Sequence, residues 1–312
     1  MAKDTSGKRF SRVPVVYVGG TGRSGSTVLA RLLARTPGVV AVGELRYVLE
    51  RGVTENHLCG CGEPFRACPF WMKVLHIAGT DESTESVRSL QALAAGVDRN
   101  RYVVPLLFPR LRTHAFQRRL DAYGDHLVRL YEAIAAVSGA RLIVDSSKDP
   151  SYAFVLHAAG LDLRLLHLVR DSRAVAFSWT RRKLRPEVQG TETHMRTRAP
   201  ARSAALWTGY HLLFEWLRRH VEHYRRVRYE DFAADAEREL AATLAWMGLD
   251  SGTRADVVVH DISGNPVRFA EGPLTVRADT AWETEMAPRD HRTVTRLTRP
   301  LLRRYGYLGR RP

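Results

Sequence analysis

Long apolar runs are missing from this chain of 312 residues. No stretch of about 18 apolar residues occurs, so no membrane-spanning helix is expected. The first twelve residues are polar and basic and have no apolar core. That excludes a secretory signal from the expectation and leaves a cytoplasmic location. Internal repeats and low-complexity tracts are absent as well. Lysine is scarce: five residues out of 48 basic ones, so arginine supplies nearly all of a net charge of +15. Such an excess fits a coding bias toward arginine, or a polyanionic ligand, since guanidinium forks bind phosphate and sulfate bidentately. No basic stretch is interleaved with stacking aromatics in a recognisable module, and nucleic acid is not expected as a partner. Cysteine is scarce too. Cys59, Cys61 and Cys68 all fall in a loop-like segment at 55–71, with His57 nearby. Four soft ligands so close together invite a zinc reading, but C-x-C-x6-C is not a standard zinc spacing. The expectation is no metal, and a structural loop with reduced or disulfide-linked thiols anchored by Pro69-Phe70-Trp71.

What is present is ordinary for a soluble globular protein: 45% hydrophobic and 26% charged residues, enough to build a substantial core. The chain is organised around Val15–Leu29. An apolar, β-branched run ends in Gly19-Gly20-Thr21-Gly22-Arg23-Ser24-Gly25-Ser26-Thr27, which runs into an amphipathic helix bearing Val28, Leu29, Leu32 and Leu33 on one face. Strand, glycine loop and helix N-terminus aim backbone N–H groups and the positive end of a helix dipole at one point, which is a cradle for a phosphate-like anion. The loop differs from a Walker A motif. Gly20 and Gly25 have the G-x-x-x-x-G spacing, but Ser26 stands where the lysine belongs, and Arg23 is the turn's single cation.

Further apolar runs at 39–42, 141–145, 163–169 and 226–229 alternate with helical patterns. They predict an α/β fold: a P-loop-type parallel β-sheet flanked by helices, in a single domain spanning 1–312. A mostly helical insertion is expected at about 84–136, and a basic mobile loop at about 181–204. Ligands of such sheets sit beyond the C-terminal ends of the strands. Arg23 with Ser24 to Thr27, Lys148 and Arg170 end three different strands and are expected to converge there.

In motif order, these residues resemble the sulfotransferases that use 3′-phosphoadenosine-5′-phosphosulfate as donor. Gly22-Arg23-Ser24-Gly25-Ser26-Thr27 is similar to that family's loop for the 5′-phosphosulfate. Arg170 with Ser178 eight residues on resembles its 3′-phosphate motif, and Arg-Tyr-Glu-Asp-Phe at 228–232 a further strand ending. The spacing from Arg23 to Gly43-Glu44 and the segment Ser147-Lys148-Asp149-Pro150 resemble the tyrosylprotein sulfotransferases and related bacterial enzymes. The resemblance implies Glu44 as catalytic base and Lys148 as catalytic lysine, with Arg23 beside the transferred group. It also implies that Asn265 and Arg268, in a C-terminal basic turn, close the nucleotide site. The cysteine-bearing loop and the region 84–136 depart from those enzymes, so protein tyrosine is not the implied acceptor. A small metabolite or a glycan carrying a hydroxyl or amine is. The chemistry asks for positioning and charge stabilisation, which Arg23, Lys148 and the loop N–H groups can supply without a metal. A P-loop kinase using ATP is the alternative, with Asp145 at a strand end as its arguable metal residue.

Overall fold

Five apolar segments form one parallel sheet: β1 (Val15–Gly19), β2 (Val39–Gly43), β3 (Leu142–Lys148), β4 (Leu163–Val169) and β5 (His223–Arg228), in the order β2-β3-β1-β4-β5. The computed structural model describes residues 13–190, 192–250, 257–269, 274 and 276–309, and the basic start of the chain lies outside them. β1 is fully buried because both faces of the sheet are covered, which is why its sequence is continuously apolar rather than alternating. The alternation reappears in what each face meets. Val15, Tyr17, Ile143 and Leu165 join one core with Tyr131, Phe154 and Phe214. Val16, Val18, Val144 and Leu166 join another with Leu29, Leu33, Leu240 and Leu244.

The helices supplying those layers are α1 (Ser26–Leu33), α2 (Pro69–Ala78), α3 (Thr84–Val97), α4 (Val103–Leu107), α5 (His114–Ser138) and α6 (Pro150–Ala158) in the first half. The second half adds α7 (Ser172–Thr180), α8 (Pro200–Leu217), α9 (Tyr229–Ala234), α10 (Ala236–Met247), α11 (Ala281–Glu285) and α12 (Pro288–Arg304). α5 shows why its residues are helical. Thr113 caps it by accepting from the Phe116 N–H at 3.2 Å, and Gly139 ends it in the left-handed region at φ 67°. Between them Phe116, Leu120, Tyr123, Leu127, Tyr131 and Ile134 recur at helical spacing on the buried face. α2 and α3 pack on it.

The connection after β1 leads to one edge of the sheet, at β2. The connection after β3 leads to the other side of β1, at β4. The mouth of such a switch point, beyond the C-terminal strand ends, is where an open α/β sheet leaves room for a ligand. Two further segments lie over that end. Residues 183–185 pair with 193–195, the Met195 N–H donating to the Lys183 carbonyl at 2.7 Å and the Arg185 N–H to the Thr193 carbonyl at 2.8 Å. The expected loop at 181–204 thus carries backbone pairing, and its last residues already belong to α8. A strap at 257–265 runs beside β2: Glu44 N–H donates to the Ile262 carbonyl at 2.7 Å, and Ile262 N–H to Val42 at 3.0 Å.

Candidate active site

A cavity of about 890 Å³ opens at the C-terminal ends of β1, β2, β3 and β4, and the loop after β1 forms its floor. Gly25, at φ 90°, is the N-cap of α1. A Cβ there would lie 2.4 Å from the Tyr229 ring, so only glycine serves both the turn and this approach. Ser24 turns its hydroxyl back to the Thr21 carbonyl at 2.7 Å, tightening the loop rather than lining the cavity, which Gly22, Arg23, Gly25, Ser26 and Thr27 do.

Arg23 is only 8% exposed and holds left-handed backbone at φ 72°. All three of its guanidinium nitrogens are buried without a hydrogen-bond partner. The Trp179 ring lies 4.9 Å away, with Arg198 on the same ring at 3.8 Å. Burial, then the repulsion of Arg198, lowers the Arg23 pKa from its ordinary value. A desolvated cation with every donor unspent is costly in a folded protein, and an anion in the cavity would satisfy it.

β2 delivers Glu44 and β3 delivers Lys148, and their side chains meet: Lys148 Nζ donates to Glu44 Oε1 at 2.5 Å. Lys148 also holds left-handed backbone, at φ 69°, and donates to the Ser146 carbonyl at 2.8 Å. Strained backbone at two cations that face one cavity is typical of a site rather than of a core. The other oxygen of Glu44 accepts from Arg51 and from the Ser263 hydroxyl, each at 3.2 Å. Burial pushes the Glu44 carboxyl up, but Lys148 and Arg51 outweigh it, and the net shift is downward. Glu44 is therefore ionised at neutral pH.

β4 ends at Arg170, which donates to the Arg23 carbonyl at 2.8 Å and pairs with Asp279 at 2.9 Å, its guanidinium over the Tyr229 ring. Ser178, two turns into α7, lines the same cavity. The Arg-Tyr-Glu-Asp-Phe segment acts through Tyr229 and through Glu230, whose carboxylate accepts from the Asp171 N–H at 3.0 Å and holds the turn after β4. Asn265 also lines the cavity, and its N–H donates to Thr27 Oγ1 at 3.2 Å.

Arg268 does not face the cavity, contrary to its expected place in the nucleotide site. Its guanidinium is buried in the opposite direction, donating to the Asp261 carbonyl at 2.7 Å and the Leu58 carbonyl at 2.9 Å, beside the Asp261 carboxylate. It braces the strap. Asp145 does not face the cavity either. It is fully buried, and its carboxylate accepts from the Ser147 N–H, the Ser147 hydroxyl and the Tyr131 hydroxyl. Burial pushes its pKa up to about 6.

Several lining residues were not singled out from the sequence. Asp149 accepts from the hydroxyls of Tyr210 at 2.8 Å and Tyr47 at 3.1 Å, placing two phenols beside Lys148. Lys183 and Arg198 reach in from the segment after α7, and burial, then Arg23 and Arg170, lower the Lys183 pKa. The Asp149 carboxylate directly after Lys148 is a usable signal in the sequence. Nothing local marks Tyr210, which sits mid-helix in an apolar pattern. Nine arginines and lysines line the cavity against six carboxylates, so its field favours an anion.

The cysteines come together on the far side of the strap. Cys59, Cys61 and Cys68 form no disulfide. His57, expected beside them, pairs instead with Glu55. The histidine that joins them is His260.

No described helix is long and apolar enough to cross a membrane. A model of the sulfotransferase family matches residues 14–252. Among solved structures, a sulfotransferase domain from the curacin biosynthetic pathway matches with a TM-score of 0.50 at 16% identity, covering 92% of this chain and 99% of that one. A sulfotransferase from Alicyclobacillus acidocaldarius matches with a TM-score of 0.46 at 15% identity, covering 93% of each chain. Comparison with functionally curated proteins gives no match. The first structure shares the fold, and the family model takes in the anion loop, Glu44, Lys148 and Arg170. The chain belongs to the sulfotransferase family.

Proposed function

We propose that this protein transfers a sulfuryl group from 3′-phosphoadenosine-5′-phosphosulfate to a hydroxyl, or an amine, on a small metabolite or a glycan. One observation carries the reading: the unspent guanidinium of Arg23 lies in the same cavity as the Glu44–Lys148 pair. The donor's chemistry fits these residues. Arg23, the N–H groups of the loop and the hydroxyls of Ser26 and Thr27 would hold its 5′-phosphosulfate. Arg170 and Ser178 would hold its 3′-phosphate, and Asn265 would close the site from the strap. When bound, the donor supplies an activated sulfuryl group on a good leaving group.

Glu44 takes the proton from the acceptor hydroxyl on its Oε1 side. Lys148 Nζ donates to that oxygen at 2.5 Å. An anionic donor competes for the lysine. As Nζ turns toward it, the carboxylate loses a counter-charge and its basicity rises, so Glu44 is armed only when the donor is present. Arg51 and Ser263 hold the second oxygen and fix the direction of the first. Asp149, with Tyr47 and Tyr210, presents a polar wall for the acceptor's other hydroxyls. The kinase alternative loses its metal residue, because the Asp145 carboxylate is spent inside the protein. Three cysteines with no disulfide among them suit a reducing, cytoplasmic setting.

The test is calorimetric titration with adenosine 3′,5′-bisphosphate and with ATP, with and without Mg²⁺. Metal-independent micromolar binding of the bisphosphate that is lost with its 3′-phosphate is expected. Binding of ATP–Mg²⁺ alone would replace this reading with the kinase.

A further inference from the structure

The cysteine loop and the strap meet at a cluster that the transfer reaction does not use. Cys61 Sγ lies 3.7 Å from Cys68 Sγ, while His260 Nδ1 lies 3.3 Å from Cys68 Sγ and 3.8 Å from Cys59 Sγ. All four ligand atoms lie within 4.8 Å of one another. Zinc holds sulfur at about 2.3 Å and imidazole nitrogen at about 2.0–2.1 Å in a tetrahedron, which spaces ligand atoms about 3.5–3.8 Å apart along its edges. The three separations of 3.3–3.8 Å bracket that spacing, and none of the six exceeds 4.8 Å. We propose that Cys59, Cys61, Cys68 and His260 bind one zinc ion, a structural centre that pins the strap to the cysteine loop beside the active site.

Four independent features support a built site. The set is three sulfurs and one imidazole, the soft donors zinc prefers, with four protein ligands and no position left for a substrate. Cys59 and Cys68 are 1% and 0% exposed, so the centre is shielded. The imidazole is already oriented: the Phe70 ring stacks on it at 4.7 Å and 7°, and Trp71 Nε1 donates to the His260 carbonyl at 2.9 Å. Lastly, the two segments approach as closely as backbone allows. Gly60 N–H donates to the Asp261 carbonyl at 3.0 Å, and a Cβ on Gly60 would fall 1.8 Å from the Asp261 carboxylate. The unusual cysteine spacing follows from this arrangement. The fourth ligand comes from 192 residues beyond Cys68, so no local motif could contain it.

The consequence reaches the active site through a short piece of chain. Three residues after His260, Ser263 holds Glu44, and two residues later Asn265 holds Thr27. A metal at His260 fixes where both begin.

The experiment is elemental analysis of protein purified under reducing, chelator-free conditions, followed by exchange of the metal for Co²⁺. One zinc per chain is expected, and the cobalt form should show thiolate-to-metal charge transfer and the visible bands of a tetrahedral ion. Cys68→Ser and His260→Ala should lose the stoichiometric metal, and amide exchange at 257–265 should quicken in both. The wild-type cobalt spectrum decides the matter even if the variants do not fold. Reduced wild-type protein that takes up neither zinc nor cobalt would overturn the proposal, as would metal-free protein carrying a Cys61–Cys68 disulfide. So would stoichiometric zinc that persists in both variants.

Discussion

Replacing Arg23 with glycine should make the unliganded protein more stable and the liganded one weaker. A buried arginine normally stabilises through the bonds it makes, but here the three guanidinium nitrogens make none. Burying an ion without compensation costs several kcal/mol. The left-handed backbone at φ 72° costs about 1–2 kcal/mol more for a residue with a Cβ. Against these stand the contact with Trp179, worth about 0.5–2 kcal/mol, and the extra freedom of glycine in the unfolded chain, about 0.5–1 kcal/mol. The balance favours the variant by about 2 kcal/mol, which raises Tm by about 3 °C in a chain of this size. Arg170 keeps its partner, because it bonds the carbonyl of residue 23 and not the side chain. Ligand binding moves the other way. Two charge-assisted hydrogen bonds at about 1.5 kcal/mol each amount to about 100-fold in affinity for the donor's anionic group. Scanning calorimetry with and without adenosine 3′,5′-bisphosphate reads both effects, since the ligand's stabilisation follows its affinity. A variant that melts below wild type yet keeps the full ligand response would refute the reasoning, and Arg23 would then be a structural strut.

Glu44→Gln should cut turnover by about 10²-fold or more while leaving donor affinity intact or tighter, because Lys148 and Arg51 lose their counter-charge; wild-type turnover in steady-state kinetics would remove Glu44 from the mechanism. Arg170→Ala should weaken donor binding more than it slows a single turnover at saturating donor, and unchanged affinity by calorimetry would end its assignment to the 3′-phosphate. Acid stability should depend on Glu44. Its pKa is lower folded than unfolded, so its contribution is complete above the ordinary value of 4.5 and is lost as pH falls through the depressed one. Urea unfolding of wild type and Glu44→Gln across that window should converge toward low pH, and parallel curves would show that the ion pair does not stabilise the fold.

The sheet was legible because its strands are short apolar runs bounded by turns, and burial on both faces makes that pattern hard to mistake. Arg23, Lys148 and Arg170 could be placed together because each ends a parallel strand, and parallel strands end on one side. Ser178 and Asn265 came from resemblance and line the cavity. Arg268 did not follow. A basic residue beside a turn says nothing about which way it points, and here the carbonyls of Leu58 and Asp261 offered a buried guanidinium better partners than a cavity already rich in cations. The Ser24 hydroxyl shows a similar limit, since a hydroxyl in a tight turn is readily claimed by the turn's own carbonyl. His57 and His260 show the limit most plainly. Proximity in sequence favoured the first, whereas the fold chose the second through contacts that no window along the chain can span.

That distance has a consequence for how the protein comes into being. Glu44 and Ser263 are 219 residues apart. A chain leaves the ribosome from its N-terminus, so β2 and its glutamate emerge long before the strap that lies against them. During that interval the strand at the sheet's edge has unpaired backbone groups of the kind that recruit other chains. Synthesis halted short of the strap would leave a polypeptide with all five strands, an incomplete cavity and an open edge. Timing therefore serves as a safeguard: the cavity gains this wall only after every strand of the sheet has been made, and a nascent chain is a folding hazard before it is an enzyme.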